Sequence, residues 1–151
     1  MIREAEGATS SHNQQNSPFL HFGLGDRAPD VLEVRWLTGR IQILAKPRPG
    51  PEPLLVEEPK GRFAEITSVK FDPPEPKAGE EVSAKASFKV PAASRVQGFA
   101  WDFDMDNRFE ASTDKSEAKH VFANPGTYLG RIRLMESKTS AVEKGILVQV
   151  K

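Results

Sequence analysis

Five acidic residues crowd one stretch of the chain: Asp102, Asp104 and Asp106, with Glu110 and Asp114 beyond. Hard carboxylate oxygens two residues apart in a turn suit Ca²⁺, and Asn107 is a residue type that accepts the left-handed backbone a metal loop needs. A calcium loop flanked by helices would close on a Glu at its twelfth position. Counted from Asp102 that position is Thr113, and no helical periodicity flanks the stretch. A plainer reading stands beside this one. Asp102 bonds local backbone amides, and Asp104 and Asp106 make an ordinary turn. The residue pattern leaves both open.

Other reactive groups are sparse. The histidines are His12, His21 and His120. A three-histidine zinc site would have to gather all of them from both halves of the chain, so structural roles are the expectation. No serine sits in a Gly-x-Ser-x-Gly elbow. Gly23-Leu24-Gly25 lacks the Gly-Lys-Ser/Thr of a phosphate loop. Glu57-Glu58 and Glu80-Glu81 read as solvated turns. Trp36 and Trp101 could stack on sugars, but both alternate in phase with apolar neighbours, as core residues do. Arg131 and Arg133 share a strand face with Leu129, which is either a partner patch or an ordinary solvated face. No catalytic set emerges, and the chain is expected not to be an enzyme.

Composition narrows the class further. The 151 residues carry 21 basic and 21 acidic side chains, for a net charge of +0. A dedicated nucleic-acid binder would carry a basic excess. With no cysteine, disulfides and thiolate metal sites are excluded. No apolar run approaches the roughly 20 residues of a membrane span, so membrane insertion is not expected. Met1-Ile2-Arg3-Glu4-Ala5-Glu6 lacks the apolar segment of a signal peptide.

The elements that must position these groups are strands. Leu20, Phe22 and Leu24 alternate with His21 and Gly23. Leu32, Val34 and Trp36 alternate with Glu33 and Arg35, and Leu37-Thr38-Gly39-Arg40 reads as a hairpin connection to Ile41 and Ile43. Prolines across 46–53 exclude a sheet interior, Leu54-Leu55-Val56 reads as a short strand, and Glu57 to Arg62 reads as a linker. The second half alternates more regularly. Strands are expected over Ile66–Phe71, Val82–Val90, Phe99–Phe103, Tyr128–Leu134 and Val142–Val150, with turn signals between them. Trp101, Phe103, Tyr128 and Trp36 are the expected core anchors. The fold expectation is all-β, with a sandwich in the second half.

Two resemblances follow from ordered motifs. Asn16-Ser17-Pro18-Phe19-Leu20-His21-Phe22-Gly23-Leu24-Gly25-Asp26, then Val31-Leu32-Glu33-Val34-Arg35-Trp36 and Thr38-Gly39-Arg40-Ile41-Gln42, resembles the ASPIC/UnbV domain over about residues 2–57. Leu37 departs from the proline usual there, and Gln15 from a serine. That family's domain typically follows an integrin-like β-propeller on cell-surface and secreted proteins, and usually starts further upstream. Trp101-Asp102-Phe103-Asp104-Met105-Asp106, then His120-Val121-Phe122-Ala123-Asn124-Pro125-Gly126-Thr127-Tyr128, resembles a PKD domain over about residues 64–151. PKD domains are Ig-like β-sandwiches of extracellular proteins, associated with adhesion and with secreted degradative enzymes as non-catalytic appendages; the resemblance implies that His120 is the motif's structural histidine, bonding backbone or a carboxylate near Asp102. Two departures stand out: Asp104-Met105-Asp106-Asn107 replaces a tight glycine turn, and Gly130 stands where a branched apolar residue is usual.

Together these imply two regions. Residues 1–62 would be a small ASPIC/UnbV-like β region, incomplete at its start, and residues 63–151 a PKD-like Ig-fold β-sandwich. The implied role is a non-catalytic extracellular or cell-envelope interaction module at the C-terminal end of a larger propeller protein, with a protein or polysaccharide partner. The alternatives are a glycan-binding appendage of a secreted hydrolase and an accessory domain of a biosynthetic protein. No cofactor is implied beyond Ca²⁺ at Asp102, Asp104 and Asp106.

Overall fold

The described residues form nine strands: β1 (Val31–Arg35), β2 (Arg40–Ala45), β3 (Glu65–Asp72), β4 (Glu81–Lys89), β5 (Gly98–Asp102), β6 (Ala111–Thr113), β7 (Glu117–Val121), β8 (Gly126–Met135) and β9 (Ser140–Val150). The computed structural model describes residues 22–23, 27–48, 50, 52–92 and 94–151. Among these residues every regular element is a strand. One sheet has six strands in the order β1-β2-β9-β8-β5-β6, and the other has three in the order β3-β4-β7. The two sheets form a β-sandwich, so the fold is all-β.

Some local expectations change. Residues 54–56 form no strand, and Leu54 and Leu55 are exposed: Pro53 precedes them, and among the described residues no strand pairs with them. The strands β6 and β7 were not anticipated. Most of the strand expected around Leu20 and Leu24, together with His12 and His21, lies outside the described residues.

By contacts the chain divides into two compact units. One comprises Met1–Leu32 with Ala45–Glu57, the other Glu33–Leu44 with Glu58–Lys151. Within the first, the Lys46 amide donates to the Asp30 carbonyl at 2.7 Å, and Lys46 takes a φ of 48°. The second holds the sandwich. Its hairpin turns at Gly39, whose φ of +88° favours glycine, and whose amide donates to Trp36 O at 2.9 Å. Strand β2 then pairs with β9 through Arg40↔Val142, Ile41↔Ala141 and Gln42↔Ser140. Arg40 is buried against the following segment: its guanidinium donates to the carbonyls of Pro59 and Gly61 and lies over the Phe63 ring. The stretch read as a linker is therefore tied to the hairpin turn.

The core lies between the sheets. Trp101, Phe103, Phe122, Ile132, Leu134 and Val82 are buried, and Trp101 is 0 % exposed. Trp101 stacks on Phe103, with centroids 5.7 Å apart, and Phe122 meets Tyr128 at 4.6 Å. Trp36 and Tyr128 are half-buried; their polar ends reach Gln42 Oε1 and Asn124 O. Gly130 explains how Phe103 enters the core. A Cβ at 130 would lie 2.5 Å from Asp102 O and 2.9 Å from Phe103 Cα. The chain leaving β5 crosses directly over the glycine, at a distance no side chain allows.

Candidate functional site

The outer face of the six-stranded sheet carries a row of paired charges. Asp102, at the end of β5, is fully buried and accepts from Arg131 Nε at 3.0 Å and Nη2 at 2.9 Å. On β8, Arg133 donates from Nε to Glu143 Oε1 at 2.6 Å, and meets the Glu33 carboxylate through Nη1 at 2.9 Å and Nη2 at 3.0 Å. Arg35 closes the row on β1, bonding Glu33 at 2.7 Å and also Glu143. Three guanidinium groups thus face three carboxylates across β5, β8, β9 and β1. The ring of Phe109 covers both inner arginines, 5.3 Å from Arg131 Cζ and 5.0 Å from Arg133 Cζ.

This arrangement corrects the expectation for Arg131 and Arg133. They are not a solvated face, since each is only 8 % exposed, while Leu129 on the same strand is open at 61 %. Alternation does place them opposite the core, but Phe109 and the two glutamates cover them. Burial alone would lower the Arg133 pKa; the hydrogen bond it donates to Glu33 and the charge of Glu143 outweigh that, so the pKa is raised and the guanidinium stays charged. Charge pairing at this depth is costly to break from one side. Glu33, Glu143 and Phe109 carried no sequence signal for this role beyond their strand and loop positions.

The acidic loop follows directly from Asp102. One carboxylate oxygen each of Asp102, Asp104, Asp106 and Glu110 lies within 4.8 Å of the others. Asp114 is not among them. All four also serve the backbone. Asp102 Oδ1 accepts from Met105 N at 2.7 Å, Asp104 Oδ1 from Asp106 N at 3.1 Å, Asp106 Oδ1 from Arg108 N at 2.7 Å, and Glu110 Oε2 from Phe103 N at 2.8 Å. Met105 and Asn107 take left-handed backbone, with φ of 62° and 70°, and Asn107 Oδ1 accepts from Arg131 at 2.9 Å. The donor set fits a hard cation: all ligands are oxygen, and Asp104, Asp106 and Glu110 are exposed. Asp102 is already committed to Arg131, whose positive charge opposes a cation on that side.

His120 sits beside this loop. It stacks on Phe103 with centroids 4.3 Å apart and meets Phe122 edge-on at 4.6 Å. No hydrogen bond from its ring is found among the described residues, so ring stacking, not a bond to backbone or carboxylate, holds it. Burial lowers its pKa, against the weaker opposing charges of Glu110 and Asp104.

Two open recesses flank the sandwich. One of about 390 Å³ is lined by Gln97, Gly98, Phe99, Ser112, Thr113 and Met135, among others. A smaller one of about 180 Å³ is lined by Val69, Phe71, Lys144, Gly145, Ile146 and Leu147.

A two-sheet, all-antiparallel sandwich with this geometry defines the class. Within it, the family model described as ASPIC and UnbV matches residues 1–62. No curated protein matches the chain. Among solved structures, one described as addressing the promiscuous specificity of carbohydrate-binding modules of the β-sandwich superfamily is similar with a TM-score of 0.53 and 18 % identity. That match covers 62 % of this chain and 36 % of that one, so the chain spans about a third of its length. The PKD1 domain of Vibrio anguillarum Epp is similar with a TM-score of 0.46 and 15 % identity over 61 % of this chain and 98 % of that one. At these identities the likeness concerns the fold. No helix among the described residues is long and apolar enough to cross a membrane.

Proposed function

We propose that the chain is a non-catalytic interaction and spacer module of an extracellular or cell-envelope protein, in which an ASPIC/UnbV-like region at about 1–62 precedes a PKD-like sandwich at about 63–151 and gives residues 33–44 to the large sheet of that sandwich. An upstream integrin-like propeller in the parent protein is part of this reading. The observation that carries it is the charge row: Asp102, Arg131, Arg133 and Glu143 bind one another and are covered by Phe109. Catalysis needs ionisable groups converging on a reacting atom in a cleft; these converge on each other. The match of residues 1–62 to the ASPIC and UnbV family supports the same reading. Weak Ca²⁺ binding by Asp104 and Asp106, with Asp102 and Glu110, belongs to the proposal, and would stiffen the loop that holds Phe109.

A second reading, a glycan-binding appendage of a secreted hydrolase, is favoured by the likeness in fold to carbohydrate-binding modules. Against it, Trp101 is buried and Trp36 is half-buried, so the two indoles do not form an exposed row for stacking. The test is retention on the immobilised chain. Cell-envelope protein extracts and purified polysaccharides are passed over it separately, with the flow-through assayed for cleavage. Saturable retention of a purified envelope protein supports the first reading, and retention of polysaccharide alone supports the second. Cleavage of either material overturns both.

A further inference from the structure

Among the described residues, strand β9 has a partner on one side along its whole length and on the other side only at its ends. Its register with β8 runs unbroken from Met135↔Ala141 to Gly126↔Val150. On the opposite side, β2 holds only residues 140–142, extended by Ile43 N donating to Thr139 O at 2.9 Å. The far end is tied to another segment: Lys151 N donates to Pro76 O at 2.9 Å, and Ala78 N donates to Lys151 O at 2.8 Å.

Those bonds fix which way each backbone group points. In an antiparallel ladder the N–H and C=O of one residue face the same side, and successive residues alternate. Thr139 and Lys151 both bond away from β8, and no bulge intervenes in the β8 register. The odd residues between them, Glu143, Gly145, Leu147 and Gln149, therefore aim their N–H and C=O at the same edge. Among the described residues no strand pairs with them there. The surroundings are open and apolar. A Cβ at Gly145 would meet nothing within 4 Å, and Leu147 and its cross-strand neighbour Leu129 are 63 % and 61 % exposed. Beneath the edge lies the recess of about 180 Å³, with Val69 and Phe71 on its β3 side.

We propose that the β9 edge from Glu143 to Gln149 is a docking site for a short extended peptide segment of a partner protein, which adds to the large sheet as a strand. Length selects this occupant over a second copy of the chain. The gap is seven residues, closed at one end by β2 and at the other by Pro76–Ala78. A second β9 is 11 residues long and would run into both. A linear segment of about seven residues or fewer fits. Its side chains would alternate between the Val69–Phe71 recess and the bare backbone of Gly145 beside Leu147. Lys144 at the recess favours a carboxylate on the segment. This inference rests on the reading of the chain as a binding module and names one of its surfaces.

The test uses the full ¹⁵N-labelled chain and a synthetic heptapeptide, acetyl-Thr-Val-Thr-Val-Thr-Val-Glu-amide. In the free chain the amides of Glu143, Gly145, Leu147 and Gln149 should exchange with solvent much faster than those of Lys144, Ile146 and Val148. The peptide should shift the four odd amides saturably and slow their exchange. The same peptide N-methylated at alternate amides keeps the side chains but cannot complete the ladder, and should bind about tenfold more weakly or worse. Protection of the four amides before peptide is added, no shifts on addition, or equal binding of the two peptides would each overturn the proposal. Such a failure leaves the retention test above unaffected, because a ligand held by the loops would still be retained.

Discussion

Arg133 and Glu33 lie 100 residues apart in sequence and meet through two guanidinium nitrogens, at 2.9 and 3.0 Å. Because Arg133 also holds Glu143, one side chain joins β1, β8 and β9. The hairpin β1–β2 is thereby fastened to the large sheet twice, by backbone pairing at Arg40–Gln42 and by this charge contact on the outer face. The consequence is physical: removing one partner strands a nearly buried charge, which costs more than the pair gains.

Gly130 offers a sharp test of the path that buries Phe103. Gly130→Ala would set a methyl 2.5 Å from the Asp102 carbonyl, a backbone atom that cannot swing aside. The variant is expected to lose about 1–3 kcal/mol of stability in urea unfolding. A Gly145→Ala control, where nothing lies within 4 Å, should change little. Equal stability of Gly130→Ala and the parent chain would mean that the β5 exit does not cross the glycine as described.

Calcium binding at the acidic loop has a direct readout. Titration to millimolar Ca²⁺ should move backbone amide resonances between residues 102 and 114, and the Asp104→Asn, Asp106→Asn double variant should abolish the movement. Both carboxylates are exposed, so this variant is expected to fold normally. Resonances that stay fixed throughout would leave the turn reading of these acids alone.

His120 gives the pH dependence a sign. Its pKa is lowered in the fold from 6.5, chiefly by burial, so below that value the unfolded chain takes up a proton more readily than the folded one. The stabilisation is complete above about 6.5 and is lost as pH falls through that value toward the folded pKa. His120→Phe, which keeps a ring against Phe103, should flatten the slope of unfolding free energy against pH in this window. Glu75 and Glu117 are also depressed, by Lys151 and Lys85, but act only below about 4.5. A parent slope just below pH 6.5 that survives His120→Phe unchanged would contradict the assignment.

Strand positions are legible where apolar residues alternate with polar ones over a long run, as from Val82 through Ala84, Ala86 and Phe88 to Val90 and from Tyr128 to Leu134. The turn at Gly39 was legible for the same local reason: glycine accepts the positive φ. What covers a sheet's outer face was not, because alternation separates two faces without saying what lies over the second. Arg131 and Arg133 therefore read as either a partner patch or a solvated face, whereas Phe109 covers both and Glu33 reaches Arg133 from a distant part of the chain. Strands β6 and β7 escaped because Ala111-Ser112-Thr113 and Glu117-Ala118-Lys119 hold small or charged side chains, and their pairing with β5 and β4 supplies the order that the local sequence lacks. Of the acidic group, the Asp102–Asp104–Asp106 spacing was visible. The contacts from Arg131 to Asp102 and to Asn107 are tertiary, and the second ties that loop to the sheet.

Cooperativity between the hairpin and the sandwich is tested most directly by a double-mutant cycle on the full chain. Glu33→Gln, Arg133→Met and the double variant are compared by equilibrium urea unfolding. Each single change should cost about 1.5–3 kcal/mol, and the double change little more than one alone, in a single transition, because the contact is lost only once. Additive losses, or an unfolding curve that splits into two steps, would show that residues 33–44 and 58–151 are not one folded unit.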